Sequence, residues 1–347
     1  MFDIRKTKIL IKKLWGVFFF YGGLFHVARF INNVVGKRVT IVTYHRVTDK
    51  NITQIDASLP YLFTSVDTFK KHLRFYKKWY RVITFSDLIK STGNQKLPWN
   101  SLIITFDDGY EDNYSKAYPL LRERNLSATF FIAVDKIEKK DGKSYWWDRL
   151  YCYLEQARNW DDTERLLQGL NSEIFALYKE FRKDPSTLFS RLNEWDSRKI
   201  DDLLDVIQDR LQINNTILEQ ENSIMNWEQV NSMSKHVLCG SHSCSHSNLL
   251  QIGHAQKIYE LKESKKMIEM NTKQKVEVFS YPCGKFENSL KDVLKDAGYE
   301  LAVTTESGLN DLRDRYALKR INIWEDTGLA LRGKFSKNYF AFKLSGF

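Results

Sequence analysis

Proline is scarce, with five residues in a chain of 347, and no stretch is built from glycine, serine and proline alone. That leaves little room for disordered linkers. Cysteine is scarce too. Cys152, Cys239, Cys244 and Cys283 form no C-x-x-C pair and no regular framework, so disulfides are not expected and a reducing compartment is the simpler setting. No internal repeat or low-complexity tract is present. Nor is there an aromatic-basic platform of the kind that stacks single-stranded bases, which argues against nucleic acid as a partner. The longest apolar run, residues 14–25, is shorter than the roughly 20 residues that a membrane-spanning helix needs. No small-residue cleavage site follows it, so a secretory signal peptide is not expected.

What is present in excess is positive charge, a formal +10. Lys and Arg are interleaved with Asp and Glu nearly everywhere except at the N-terminus, which suits an anionic surface or substrate. There, Lys6, Lys8, Lys12 and Lys13 precede the aromatic-rich run, and Arg29, Lys37 and Arg38 follow it. Residues 1–38 therefore read as a basic amphipathic helix lying in the membrane interface, or as a helix packed on the main domain. The first reading places the protein on the cytoplasmic face of the cell membrane. An uncleaved signal anchor would instead put the domain outside.

From residue 39 onward, strand-like and helix-like stretches alternate. Strands are expected at 39–47, 81–85, 102–107, 128–134, 237–241, 276–281, 301–305 and 318–323, and helices at 66–79, 113–124, 254–270 and 290–297. Gly298 is the expected C-cap of the last helix. Short apolar runs separated by amphipathic helices indicate parallel strands with helices outside, hence an α/β barrel or a doubly wound sheet over residues 39–347. Residues 140–225 interrupt the alternation with a charged helical insertion. Its leucines and aromatics (Leu166, Leu167, Leu170, Phe175, Leu177, Phe181, then Leu203, Leu204, Ile207, Leu211) fit a packing stripe. Its first residues, Tyr145-Trp146-Trp147-Asp148, suit either sugar stacking or the core.

Two strand-end segments carry the chemistry. Thr105-Phe106-Asp107-Asp108-Gly109 closes one strand with adjacent carboxylates, and His242-Ser243-Cys244-Ser245-His246 follows another with two imidazoles four residues apart. One carboxylate and two histidines form a ligand set that leaves positions open for water, as a hydrolytic metal site requires. The second carboxylate is then free to accept a proton. Cys239 and Cys244 flank His242, and two buried apolar cysteines fit the strand better than a mixed Cys/His zinc site. In an α/β barrel or sheet, chemistry belongs at the carboxyl ends of the strands, where Asp107, Asp108, His242 and Pro282 all fall.

These motifs resemble the polysaccharide deacetylase family of NodB-homology carbohydrate esterases, over residues 39–323 apart from the insertion. The resemblance implies a distorted parallel (β/α) barrel, a divalent metal ion (zinc first, with Co2+, Ni2+ or Mn2+ as alternatives) and hydrolysis of N-acetyl or O-acetyl groups on sugars. It makes Asp107 the catalytic base and Asp108, His242 and His246 the metal ligands. A third motif, R-x-P-Y, aligns with Ser280-Tyr281-Pro282-Cys283, with serine for arginine and cysteine for tyrosine. Tyr281, Pro282 and Cys283 then contribute to oxyanion and substrate binding, the backbone N–H of Cys283 serving as donor. A fourth motif, L-x-H, aligns with Leu318-Lys319-Arg320, so its histidine is an arginine here.

Arginine does not give up a proton at physiological pH. His45, at the end of the first strand, is the replacement candidate, with a packing role as its alternative. Arg320 is expected to enter the barrel mouth and pair with Asp107. The expected activity is removal of N-acetyl groups from N-acetylhexosamine units of a cell-surface polysaccharide or lipid-linked precursor. The alternatives are an O-acetyl esterase on the same site, since an alcohol leaves without a strong acid, and a non-catalytic carbohydrate-binding homologue.

Overall fold

Among the described residues, ten short strands follow one another: β1 (Thr40–Tyr44), β2 (Arg46–Thr48), β3 (Phe63–Ser65), β4 (Arg81–Val82), β5 (Ser101–Phe106), β6 (Thr129–Ile132), β7 (Leu238–Ser241), β8 (Val278–Ser280), β9 (Leu301–Val303) and β10 (Ile321–Asn322). The structure, a computed structural model, describes residues 39–50, 59–91, 97–138, 144–156, 185–195, 197–310, 312–329 and 335–345, with a few isolated positions besides. The basic N-terminal segment and the stripe from Leu166 to Phe181 lie outside the described residues.

Eight of the strands make one parallel sheet in the order β10-β1-β5-β6-β7-β8-β9, with β4 beside the start of β5. The ring closes through the segment leading into β10. Leu318 bridges Val303 in parallel, its carbonyl accepting from the Thr304 N–H at 2.8 Å. Three residues later Ile321 registers with Val42. This is a distorted (β/α) barrel. Most strands are shorter than the apolar runs that announced them, because only part of each run finds ladder partners.

The period-two alternation sorts side chains into two layers. Val42, Tyr44, Ile104, Phe106, Phe130 and Ile132 are buried against the surrounding helices. Ile41, Ile103, Phe131, Val278, Val303 and Leu318 form a separate inner core. Gly240 has no side chain for a steric reason: a Cβ there would meet the Phe131 ring at 2.5 Å. The helix Val66–Trp79 shows how local signals set an outer element. The Ser65 hydroxyl accepts from the Thr68 N–H at 3.2 Å, Asp67 sits in the first turn, and Lys77 and Lys78 sit in the last. Its Phe69, Leu73 and Tyr76 are fully buried, each contributing roughly 1.5–3 kcal/mol. Gly298 follows its helix at φ +79°, with the Tyr299 N–H reaching back to the Leu294 carbonyl at 3.0 Å.

The expected first strand is broken at His45. β1 stays in the barrel, while β2 turns away to pair in parallel with β3, Arg46 opposite Phe63. Between β6 and β7 stand the helices Trp146–Gln156, Pro185–Leu192, Ser197–Leu211 and Thr216–Glu221. They share a core of their own, including Leu150, Leu188, Phe189, Leu204 and Ile207, which reaches the barrel through Tyr110, Tyr145 and Trp147. Arg149 ties two of these helices together, bonding Asp201 at 2.7 Å and Asp205 at 2.6 Å.

Candidate metal centre and active site

β1 and β5 run in register, Tyr44 beside Phe106, so the residues that follow the two strands, His45 and Asp107, emerge side by side. Asp108 follows with a left-handed backbone, φ +74°. Its Oδ1 lies 3.4 Å from Nε2 of His242 and 3.4 Å from Nε2 of His246. Two ligands each ~2.1 Å from a tetrahedral ion stand about 3.4 Å apart, so this spacing fits a zinc-sized cation. The three ligand atoms all lie within 4.8 Å of one another. Nδ1 of His242 donates to the Ser280 carbonyl at 2.8 Å, which leaves Nε2 as the nitrogen that faces Asp108 and would ligate the ion. Ser280, standing where the family motif has an arginine, thus serves the site through its backbone.

The loop bearing His246 is held by a residue that motif reading missed. Glu260, on the helix His254–Thr272, is 2% exposed. Its carboxylate accepts from the N–H groups of Cys244 and Ser245, at 2.8 and 3.0 Å, and from the Ser245 hydroxyl at 2.7 Å. Its only sequence signal is position, since it shares the buried face of that helix with Leu261, Ser264 and Ile268. The loop needs such support because Ser243 and His246 both adopt left-handed φ. Cys239 and Cys244 are buried, and neither joins the ligand cluster.

Asp107 does not face the cation site alone. Nη1 and Nη2 of Arg320 donate to its two oxygens, each at 2.7 Å. Arg320 is 1% exposed. Its Nε donates to the Thr304 carbonyl, and its terminal nitrogens also reach the hydroxyls of Thr43, Thr105 and Ser280, at 3.1, 3.3 and 3.1 Å. The guanidinium stands 5.6 Å from the Phe131 ring centroid. Every nitrogen is satisfied, as a buried cation requires. Burial alone would raise the Asp107 carboxyl, but Arg320 and then His242 outweigh it and hold it below the usual range. Burial likewise opposes ionisation of Asp108, and its contacts with His242 and His246 prevail.

Over these groups opens a cleft of about 140 Å³ lined by His45, Asp107, Asp108, His242, His246, Tyr281 and Cys283. Leu59, Leu62, Trp146, Trp147 and Phe189 supply much of the rest of its wall. His45 Nδ1 is buried and meets no hydrogen-bond partner among the described residues. Tyr281 turns its hydroxyl away, to the Tyr316 carbonyl at 3.0 Å. Pro282 is buried and, contrary to expectation, does not line the cleft. It opens the tight turn Pro282–Gly284, in which Cys283 takes φ +57°. Burial and the nearby Asp108 carboxylate push the Cys283 thiol up to about 12, so it stays a neutral thiol at physiological pH.

The insertion builds one side of the site. Tyr145 donates to the Asp108 carbonyl at 2.6 Å, and the rings of Tyr145 and Trp147 stand edge-on to His246. Further along, the Asn193 carbonyl accepts from the Asn248 side chain at 2.8 Å, and its amide oxygen accepts from the Cys283 thiol at 3.4 Å. Glu194 pairs with Lys285.

The comparisons with known proteins agree with this geometry. The family model for polysaccharide deacetylase matches residues 94–169 and 196–302. YxkH of Bacillus subtilis, a relative named for the same family, is 22% identical over 295 residues, which span 82% of this chain and 71% of that one. Among solved structures, the Streptococcus pyogenes deacetylase PplD superposes with a TM-score of 0.56 at 16% identity, over 84% of this chain and 95% of that one. A de-N-acetylase from Aggregatibacter actinomycetemcomitans gives 0.56 at 16% identity, over 87% of this chain and 99% of that one. With motifs, barrel and family model in accord, this chain belongs to the polysaccharide deacetylase family and is a hydrolase of that family.

Proposed function

We propose that this enzyme removes N-acetyl groups from N-acetylhexosamine units of a cell-surface polysaccharide or lipid-linked precursor, using a divalent ion held by Asp108, His242 and His246. Zinc suits two imidazoles and a carboxylate best, with Co2+, Ni2+ or Mn2+ as substitutes. The observation that carries the reading is the ionised, doubly gripped Asp107 beside those three ligands. A module that only bound sugar would have no use for a second buried carboxylate there. When bound, the ion would polarise the acetyl carbonyl and acidify a water molecule.

The chain's own residues supply the remaining steps. Asp107 accepts the proton of the attacking water, its orientation set by the Arg320 fork. The backbone N–H of Cys283 donates to the developing oxyanion, a role that does not require the tyrosine of the family motif. His45 donates the proton that the departing amine needs. Its unpartnered Nδ1 favours N-deacetylation over ester cleavage, because an alkoxide leaves without so strong an acid. The aromatic wall from the insertion offers faces on which a pyranose ring can stack. Residues 1–38 bring the enzyme to anionic lipid, where a lipid-linked substrate is held.

Acetate release from N-acetylated and O-acetylated oligosaccharides tests the reading. Preferential release from the N-acetylated series is expected. Preference for the O-acetylated series would make the enzyme an esterase, and release from neither would leave a binding protein.

A further inference from the structure

His45 occupies the point where the chain leaves the barrel, and something must set its position. Two residues just beyond the carboxylate pair do so. Asn113 Nδ2 donates to the His45 carbonyl at 2.7 Å, and Asp112 Oδ1 accepts from the Val47 N–H at 3.2 Å. Asp112 Oδ2 accepts from Arg46 Nε at 2.7 Å, and its Oδ1 also accepts from Asn113 at 3.0 Å. The peptide groups on both sides of Arg46, the residue directly after His45, are thereby bonded to a segment that begins four residues after Asp108. Asn113 opens a single π turn, Asn113–Ala117, closed by the Tyr118 N–H on the Asn113 carbonyl. Such turns are costly in isolation and recur at functional sites.

The side chain of Asn113 is fully buried, yet its Oδ1 has no hydrogen-bond partner among the described residues. An orphaned buried acceptor costs stability. An apolar residue of the same shape would avoid that cost. The amide at this position therefore serves its two donor bonds, one of which ends on His45.

We propose that Asn113 is a positioning residue for proton donation: its bond to the His45 carbonyl holds the imidazole in register with Asp107 across the cleft. This rests on His45 being the proton donor. The bond joins the first strand to the Asp107-Asp108 segment, so base, ligand and acid move as one body. Arg46, packed between the Phe63 and Tyr110 rings at 4.6 and 4.4 Å and bonded to Asn222, braces the same bracket from the insertion side.

The test compares Asn113→Leu, His45→Gln and the double variant in the full-length chain loaded with zinc. Three measurements are needed: turnover of an N-acetylhexosamine oligosaccharide, turnover of an activated aryl acetate, and the midpoint of urea unfolding. Asn113→Leu is expected to slow amide hydrolysis about tenfold or more while leaving the aryl ester within about threefold, since only the amide needs the acid. Its unfolding midpoint should stay close to the parent's, since leucine removes one orphaned acceptor, Asn113 Oδ1, and creates another at the His45 carbonyl. The double variant should be no slower on the amide than His45→Gln alone, because both remove the same function. Equal loss on both substrates, no loss on either, or a large fall in the midpoint would overturn the proposal. If His45→Gln itself slows both substrates equally, the proton-donor reading fails and this proposal with it. If His45→Gln is selective and Asn113→Leu is not, only the positioning role fails.

Discussion

Arg320 and Asp107, 213 positions apart in the chain, face each other as a two-pronged guanidinium–carboxylate pair at 2.7 Å on both sides. The pair sits at the mouth of the barrel, where the segment entering β10 meets the end of β5. Ser280, which occupies the family motif's arginine position, lies 3.1 Å from the same guanidinium. The charge that the third motif has lost thus reaches Asp107 from the other side of the ring.

Arg320→Lys should keep a cation but lose the fork, and activity should fall more than tenfold with the metal retained. Arg320→Gln leaves Asp107 buried without its partner, which should cost roughly 3–5 kcal/mol. Turnover and urea unfolding of the two variants check both points. Equal stability of Arg320→Gln and the parent would mean that the pair has no structural weight.

Removal of either histidine ligand, as His242→Ala or His246→Ala, should abolish metal retention and turnover together. Asp107→Asn should retain the ion and lose activity, because it alters the base and leaves the ligands in place. Metal analysis of the purified variants decides this. Full occupancy after loss of both histidines would sink the ligand assignment.

Glu260 is predicted to matter for metal affinity although it touches no ligand side chain. Glu260→Ala frees two backbone N–H groups in the 244–246 loop, and affinity for zinc should fall ~10–100-fold. Competition with a chromophoric chelator measures it. An unchanged dissociation constant would show that the loop holds its shape unaided.

His72 gives a pH prediction. It is fully buried, stacked on Phe340 at 4.2 Å, and bonded through Nδ1 to the Tyr44 hydroxyl at 3.1 Å. Burial pushes it down from 6.5 to about 3. The fold keeps it neutral, while the unfolded chain takes up a proton below pH 6.5. Stability is therefore fully present above 6.5 and declines as pH falls toward 3, by up to roughly 1.4 kcal/mol per pH unit from this group. His72→Gln should show a shallower decline in urea unfolding across that window. A slope identical to the parent's would assign the acid sensitivity to other groups.

Residues 1–30 are expected to bind vesicles containing anionic lipid, more weakly as salt screens the lysines. A chain lacking them should hydrolyse a soluble oligosaccharide normally. Unfolding or aggregation of the shortened chain would instead make the segment a packed part of the domain.

The sequence by itself determined the pieces whose chemistry is local. Helix Val66–Trp79 was legible to the residue, since its cap, charges and apolar face all lie within one short window. The adjacent aspartates and the spaced histidines were legible because the residues of each set share a strand end or the turn after it. Even the meeting of Arg320 with Asp107 followed from topology, since β10 neighbours β1 and β1 neighbours β5, so the ends of the three converge at the barrel mouth. The tertiary structure alone decided where isolated polar residues went. Glu260 under the His246 loop, Asn113 on the His45 carbonyl, Tyr145 on the Asp108 carbonyl and Asn193 on Cys283 are single side chains with many conceivable partners. So is the break at His45, which an apolar run extending to residue 47 conceals. A lone carboxylate or amide carries no period and no spacing, so its partner is set only when packing removes water and leaves one donor or acceptor within reach.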